Sequence, residues 1–433
     1  MPAACPSPAP ARDLLPEREP DRGLLRPILR ARTARLPFAL EPPGLLALAG
    51  ERGFAWRSPG RSLIAAGVAA RIPAPPGPRR LERLAGTVAR LLATATTGVA
   101  RPLAVGALPF DSATPGGLTV PALVLEETPD GLLATSVAAG ADPPDPAGLA
   151  ARLLAPAQPA RWPTSVRLAP AWDRAGWAAA VATILEAIAA GQLDKAVLAR
   201  QVLVEGERPF RRAALLGRLA ARAAGAYLYA SGGLVGASPE LLIARAGRTA
   251  RSRPLAGTVP RGASPAEEAT SLARLRSSPK EALEHRLVVD AVVGGLAKVA
   301  DRVEVAATGV VRLPTVAHLA TEVTAALGEP PPSALDLVAA LHPTPAVGGT
   351  PTQAALDLLA RLEPAGRGRY AGPVGWIDGA GDGEWAVALR CAELAGRRAR
   401  LFAGAGIVAG SDPEAEWDET SSKLRVILDV LGP

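Results

Sequence analysis

The residues best suited to chemistry fall in the second half of the chain. Glu416, Glu419 and Lys423 are spaced i, i+3 and i+7, so at about 100° per residue they share one helical face. Trp417, Leu424, Leu428 and Leu431 form an apolar stripe beside that face, which puts the acids next to the core. Glu281 and Glu284 repeat the i, i+3 spacing at another helix start. Two E-x-x-E pairs can supply the hard oxygen ligands that Mg²⁺ takes. The alternative is two solvated acidic first turns that complement the helix dipole. Lys195 lies in LDKAVLARQVLV (193–204) and, by alternation, shares a strand face with Val197 and Ala199. An amine on an apolar face loses the solvation of its charge, which suits a general base; the other reading is an edge lysine whose stem snorkels. Glu240 follows Pro239 and is a positioned acid or a turn carboxylate.

Arg390 alternates with Ala388 and Ala386, and Trp385, Val387 and Leu389 take the opposite strand face. An arginine beside alanines leaves room for a carboxylate that its fork can hold, unless it makes a structural ion pair. GAGIVA (404–409) fits the dinucleotide spacing G-x-G-x-x-A, but no βαβ unit follows and only one helix remains. Gly404 and Gly406 are better read as places where backbone approaches a bound carboxylate. His318 and His342 read as packing or hydrogen-bonding residues, and with His285 and two cysteines they form no zinc spacing.

These residues need elements to hold them. Asp173 caps a predicted helix with Trp177, Val181, Ile184 and Ile188 on one face, stopped by Gly191. Ser278-Pro279-Lys280-Glu281 matches a capping box with proline at the first helical position, and Ser411-Asp412-Pro413-Glu414 repeats the start signal. A β region runs from Leu234 to Leu255, broken at Ser238-Pro239-Glu240, and Leu118 to Leu125 reads as a strand despite its proline. Residues 370–408 read as a meander of YAGPVGWI, EWAVALRCAEL and RARLFAGAGIV joined by short connections. Short connections imply antiparallel pairing, so the fold class is α+β rather than a doubly wound parallel sheet.

The chain has 433 residues, of which 48% are hydrophobic and 21% charged, enough for a large core and too apolar for global disorder. Its net charge of +7 admits nucleic acid or a small anion as partner, but arginine is scattered without a basic block, so nucleic acid is not expected. Cys5 and Cys391 allow at most one bridge, the N-terminus lacks the apolar core of a signal peptide, and no long apolar run is present. A cytoplasmic protein without a membrane span is expected. Residues 1–165 are rich in alanine, proline and arginine and open with a loose tail of about twenty residues.

Nine stretches, in order, resemble the chorismate-utilising enzymes, most closely the isochorismate synthases: LDKAVLAR (193–200), GASPELL (236–242), PLAGTVPRG (254–262), SPKEALEHRLVVD (278–290), LPTVAHLATEV (313–323), LHPTPAVGG (341–349), RGRYAGPVGWID (367–378), GDGEWAVALR (381–390) and AGAGIVAGSDPEAEWDETSSK (403–423). The resemblance implies two large antiparallel sheets packed together with helices outside, and a buried Mg²⁺-dependent site between them. It implies that residues 166–433 form the chorismate-binding catalytic region and 1–165 a variable N-terminal part of the same fold.

It also implies roles. Lys195 resembles the base that activates water for attack at C2 of chorismate, and Glu240 the acid that protonates the departing C4 hydroxyl. Glu284 and Glu419 resemble the Mg²⁺ carboxylates, with Glu281 and Glu416 as partners. Tyr370, Arg390, Gly404, Gly406 and Lys423 resemble the groups that hold substrate carboxylates, and Gly257 and Thr258 the segment lining the same site. Lys195 argues against the ammonia-using anthranilate branch, so no glutaminase subunit is expected. Ala256 departs from the lysine of aminodeoxychorismate synthases, and Ala346 from the threonine common in salicylate synthases. A lyase activity and a catalytically silent binding protein stay open, as do the downstream pathway and a monomeric or weakly homo-oligomeric state.

Overall fold

The structure, a computed structural model, describes residues 28–36, 53–95, 101–154, 161–223, 225–313 and 315–432. The expected N-terminal tail and Cys5 lie outside these residues. The described strands form a twelve-stranded sheet, a nine-stranded sheet and a small three-stranded sheet, with every pairing antiparallel. This is the expected α+β architecture with one addition. The small sheet, Gly309–Arg312, Val316–Ala320 and Leu255–Pro260, was not signalled by its short, interrupted sequence.

Alternation sorts the side chains. On the strand Lys195–Gly206, Lys195, Val197 and Ala199 face inward, while Ala196 and Leu198 face the helices Arg174–Ala189 and Thr352–Leu362. The main core lies between the two large sheets, where Trp56, Tyr229, Trp376 and Trp385 are buried among Leu and Val. Each fully buried Leu, Ile or Val there contributes about 1.5–3 kcal/mol. A second core lies under the helices Arg212–Arg222 and Pro413–Leu431 on the outer face of the large sheet. Asp173 caps its helix as expected, accepting from Gly176 N at 2.7 Å, and Gly191 follows the end at φ +70°.

Strands from residues 1–165 are woven into both large sheets: Phe54–Ser58 pairs with Tyr227–Ser231, and Leu103–Ala107 with Pro373–Asp378. The expected single strand Leu118–Leu125 is two. Gly116–Val120 belongs to the nine-stranded sheet and Leu123–Thr128 to the twelve-stranded one, because Pro121 cannot continue a ladder.

The same device, used twice, builds the site. The chain leaves the large sheet after Leu234–Ser238 and enters the other at Leu241–Ala246, crossing at Pro239-Glu240. It returns from Gly383–Val387 to Cys391–Ala395, crossing at Ala388–Arg390. The crossings are stitched together: Val387 N donates to Glu240 O at 3.2 Å, and Ala237 N to Arg390 O at 3.1 Å. EWAVALRCAEL is therefore not one strand. Arg390 sits at a bend with φ +47°, which no regular strand residue adopts, so its expected alternation with Ala386 and Ala388 does not hold.

Candidate active site

Both crossings open onto one cavity between the sheets. Its walls include Glu240, Thr258, Glu284, Tyr370, Arg390, Gly404, Gly406 and Lys423. Lys195 is wholly buried, with its Nζ 3.0 Å from Glu284 Oε1. The Lys195 side chain passes close over Gly406, where a Cβ would come within 2.9 Å of its Cε. No side chain at Gly406 is what lets the amine and the Glu284 carboxylate meet there.

The two acidic helix starts form as the capping signals require, with one difference each. Ser278 Oγ accepts from Glu281 N at 3.3 Å, but Glu281 does not complete the box. Its carboxylate turns to Thr258 N at 2.7 Å, at a bulge in the strand where Gly257 has φ +72°. In the second start Asp412, not Ser411, is the cap, accepting from Ala415 N at 2.9 Å; Ser411 Oγ accepts from Val408 N instead. Glu281, Glu416 and Glu419 border a second cavity that meets the first at Thr258.

Like charges repel, and each carboxylate takes an ammonium. Lys280 Nζ lies 2.7 Å from Glu416 and 3.4 Å from Glu281, and Lys423 pairs with Glu419 while donating to Gly404 O at 2.9 Å. Among the described residues no three acids, histidines or cysteines gather as a ready metal cage. Glu416 is pushed up to about 7 by burial and then by Glu419. Burial also raises Glu281, opposed by Lys280 and reinforced by Glu284 and Glu419. Burial alone would raise Glu284 too, but Lys195, Lys423 and Lys280 outweigh it and hold it below the usual range.

In the wall of the first cavity, burial raises Glu240 to about 8, against the pull of Lys195, Arg390 and Lys423. The Tyr370 hydroxyl is pushed up to about 12 by burial, so it stays protonated, and its ring stacks on Phe402 with centroids 5.0 Å apart.

His318 and Arg367, not singled out as site residues from sequence, also border the cavity. His318 Nδ1 lies 3.2 Å from Gly257 O, which can only accept, so Nδ1 carries the proton and Nε2 accepts from Arg390 Nη2 at 3.2 Å. Burial and then Arg390 hold this imidazole well below its ordinary value, hence neutral. His318 thus aims Arg390, consistent with its reading as a hydrogen-bonding residue. His342 contacts the Phe110 ring edge-on. Both missed residues lie in stretches that carry the resemblance, LPTVAHLATEV and RGRYAGPVGWID; that membership was the available signal.

The family model described as chorismate binding enzyme matches residues 47–432. The chain is 37% identical over 388 residues to the isochorismate synthase DhbC of Bacillus subtilis (strain 168), covering 87% of this chain and 92% of that protein. The chain belongs to the chorismate-binding enzyme family. Among solved structures, MenF, the menaquinone-specific isochorismate synthase from Escherichia coli, superposes on this chorismate-binding enzyme with a TM-score of 0.80 at 26% identity, covering 94% of this chain and 95% of that one. Anthranilate synthase component I from Streptococcus pneumoniae shares the fold with a TM-score of 0.70 at 24% identity, covering 86% of this chain and 93% of that one. No helix among the described residues is long and apolar enough to cross a membrane.

Proposed function

We propose that this chorismate-binding enzyme is an isochorismate synthase, an isomerase that adds water at C2 of chorismate and expels the C4 hydroxyl. The observation that carries the reading is a buried carboxylic acid, Glu240, in the wall of the cavity, and a buried amine, Lys195, set 3.0 Å behind Glu284 of the same wall. Lys195, in its neutral amine form, takes a proton from water as the water oxygen bonds to C2. The two ring double bonds shift, and the C4–O bond breaks as Glu240 gives its proton to the departing oxygen. One proton is gained and one lost, so the step balances without an outside reagent. Glu240 is suited to the acid role because burial keeps it protonated near neutral pH.

Chorismate is a dianion. Arg390, aimed by His318, and Lys423, tethered to Gly404 O, face the cavity with positive charge for a carboxylate. Tyr370 supplies a neutral hydroxyl beside them. Enclosure between two sheets excludes water and strengthens each of these contacts.

We assign the metal to Mg²⁺, held by Glu284 and Glu419 with Glu281 and Glu416 as direct or water-bridged partners. The donor chemistry fits: four hard carboxylates from two helix starts, Glu284 on the first cavity and Glu281, Glu416 and Glu419 on the second, with Thr258 bordering both. When bound, the ion supplies positive charge to the ring carboxylate of the substrate. Every one of these side chains lies between Lys195 and Lys423, so we place catalysis in residues 166–433 and give 1–165 a scaffolding role in both sheets.

The test is the product formed from chorismate with Mg²⁺ and no ammonia source. Isochorismate is expected. Salicylate with pyruvate would add a lyase step to the same site, and no turnover would overturn the reading in favour of a silent binding protein.

A further inference from the structure

The strand that begins with Lys195 is hydrogen-bonded along its whole length by Arg398–Val408 on one side. Its other side is incomplete. Gly349–Thr350 covers Lys195 and Ala196, Val166–Pro170 covers Val202 to Gly206, and residues 197–201 face no strand. A buried backbone group in that gap still needs a partner. Val197 N donates to Gly348 O at 2.8 Å, and Gln201 O accepts from Ala171 N at 3.0 Å. Two groups between them are met by side chains. Arg367 Nη2 donates to Val197 O at 2.6 Å, and Ala199 N donates to Glu363 Oε1 at 3.0 Å.

Glu363 and Arg367 are themselves paired, with Arg367 Nε donating to Glu363 Oε2 at 2.9 Å. The same guanidinium sends Nη1 to Val347 O at 2.6 Å and lies over the Phe110 ring, 4.5 Å from its centroid. Both side chains are almost wholly buried. A buried ion pair is a poor way to gain stability, since both charges leave water. Its place here has a geometric reason. A continued strand would have to run where Ala346 and Val347 turn away to wall the cavity. The pair supplies a strand's donor and acceptor where no strand fits, and ties that wall to the strand of Lys195.

We propose that Glu363 and Arg367 are a positioning pair for catalysis, holding the backbone beyond Lys195 in register with the Val347 wall. Arg367 borders the cavity, but its N–H groups are directed at Glu363, Val197 and Val347, so it acts through Lys195 rather than on substrate. The proposal rests on the reading of Lys195 as the base.

The experiment uses the full chain carrying Arg367→Met, Arg367→Lys or Glu363→Gln, with Asp382→Asn as control. Asp382 pairs at 3.1 Å with the buried Arg245, which is not part of the cavity wall. A displacement of about 1 Å at the reacting centre lowers rate about 10²-fold, so Arg367→Met should lower kcat by about that factor while KM for chorismate changes less than about threefold. Arg367→Lys should recover about tenfold, and Glu363→Gln, which keeps an oxygen for Ala199, should lose about tenfold. Amide exchange at Ala199 should quicken in the Met variant while that of Val202 and Val204 stays unchanged. The control should lower the melting temperature and leave kcat alone. Should Arg367→Met fold poorly, Glu363→Gln carries the same test. Wild-type kcat in the folded variants, a loss confined to KM, or unchanged exchange at Ala199 would each overturn the proposal. A wild-type protein that fails to turn over chorismate would instead remove the proposed function, and exchange at Ala199 would still decide whether the pair holds the strand.

Discussion

Gly406 is where the smallest change should do the most damage. A Cβ there would lie 2.1 Å from Glu284 Oε1, 2.8 Å from Glu284 Cδ and 2.9 Å from Lys195 Cε. Gly406 lies within the extended strand Arg398–Val408 and has no positive φ, so alanine adds contact and not backbone strain. To reach even 3.0 Å, the carboxylate oxygen must retreat by about 0.9 Å, and it is held by Lys195. A misplacement of about 1 Å in an active site lowers rate about 10²-fold, or about 2.7 kcal/mol of barrier. Overpacking of this kind lowers stability by about 1–3 kcal/mol, so the variant should remain largely folded at room temperature. Gly406→Ala should therefore lower kcat/KM for chorismate about a hundredfold with a modest drop in melting temperature. Product can be followed by chromatography, with a thermal melt on the same sample. Activity within about threefold of wild type would refute the claim that Lys195 and Glu284 work at this spacing.

Lys195→Ala should abolish water addition and leave Mg²⁺-dependent chorismate binding nearly intact by calorimetry; retained turnover would refute the base assignment. Glu240 is raised to about 8 by burial and must be protonated to act, so kcat/KM should hold below about pH 8 and fall as pH rises through it. Stability should follow a different course: the fold favours the protonated form, so this contribution is full below the ordinary carboxyl value of 4.5, falls as pH rises toward about 8 and is flat above it. A rate profile flat across about pH 7 to 9 would remove Glu240 from the acid role. Glu419→Gln should weaken Mg²⁺ affinity in a metal titration read by calorimetry, and an unchanged isotherm would count against its ligand role.

Local signals fixed the helix starts well. Asp173, Ser278 and the Asp412-Pro413 step all lie where capping chemistry puts them, because a cap is decided by residues three positions apart. They also put both E-x-x-E pairs at helix starts. What failed was any feature that depends on which sheet a strand joins. Apolar residues continue without interruption through Ala388 and Leu389, since both sides of the crossing are buried, so nothing local marks the bend at Arg390. Pro239 and Pro121 did mark crossings, but a proline signals a break and not a change of sheet. Glu281 was legible as a capping-box acid, and only tertiary structure offered it the better donor, Thr258 N. Arg367 was signalled only by its place in RGRYAGPVGWID, and the job of the Glu363–Arg367 pair was not legible because, besides each other, their partners are backbone groups far away in sequence.

The most direct measurement is turnover of chorismate in ¹⁸O-labelled water with Mg²⁺, followed by mass analysis of the isochorismate formed. A base at Lys195 and an acid at Glu240 working on one ring from opposite sides require the new C2 hydroxyl to come from solvent, so it should carry the label and the original C4 oxygen should be lost. Isochorismate whose C2 oxygen is the one that left C4 would contradict the account.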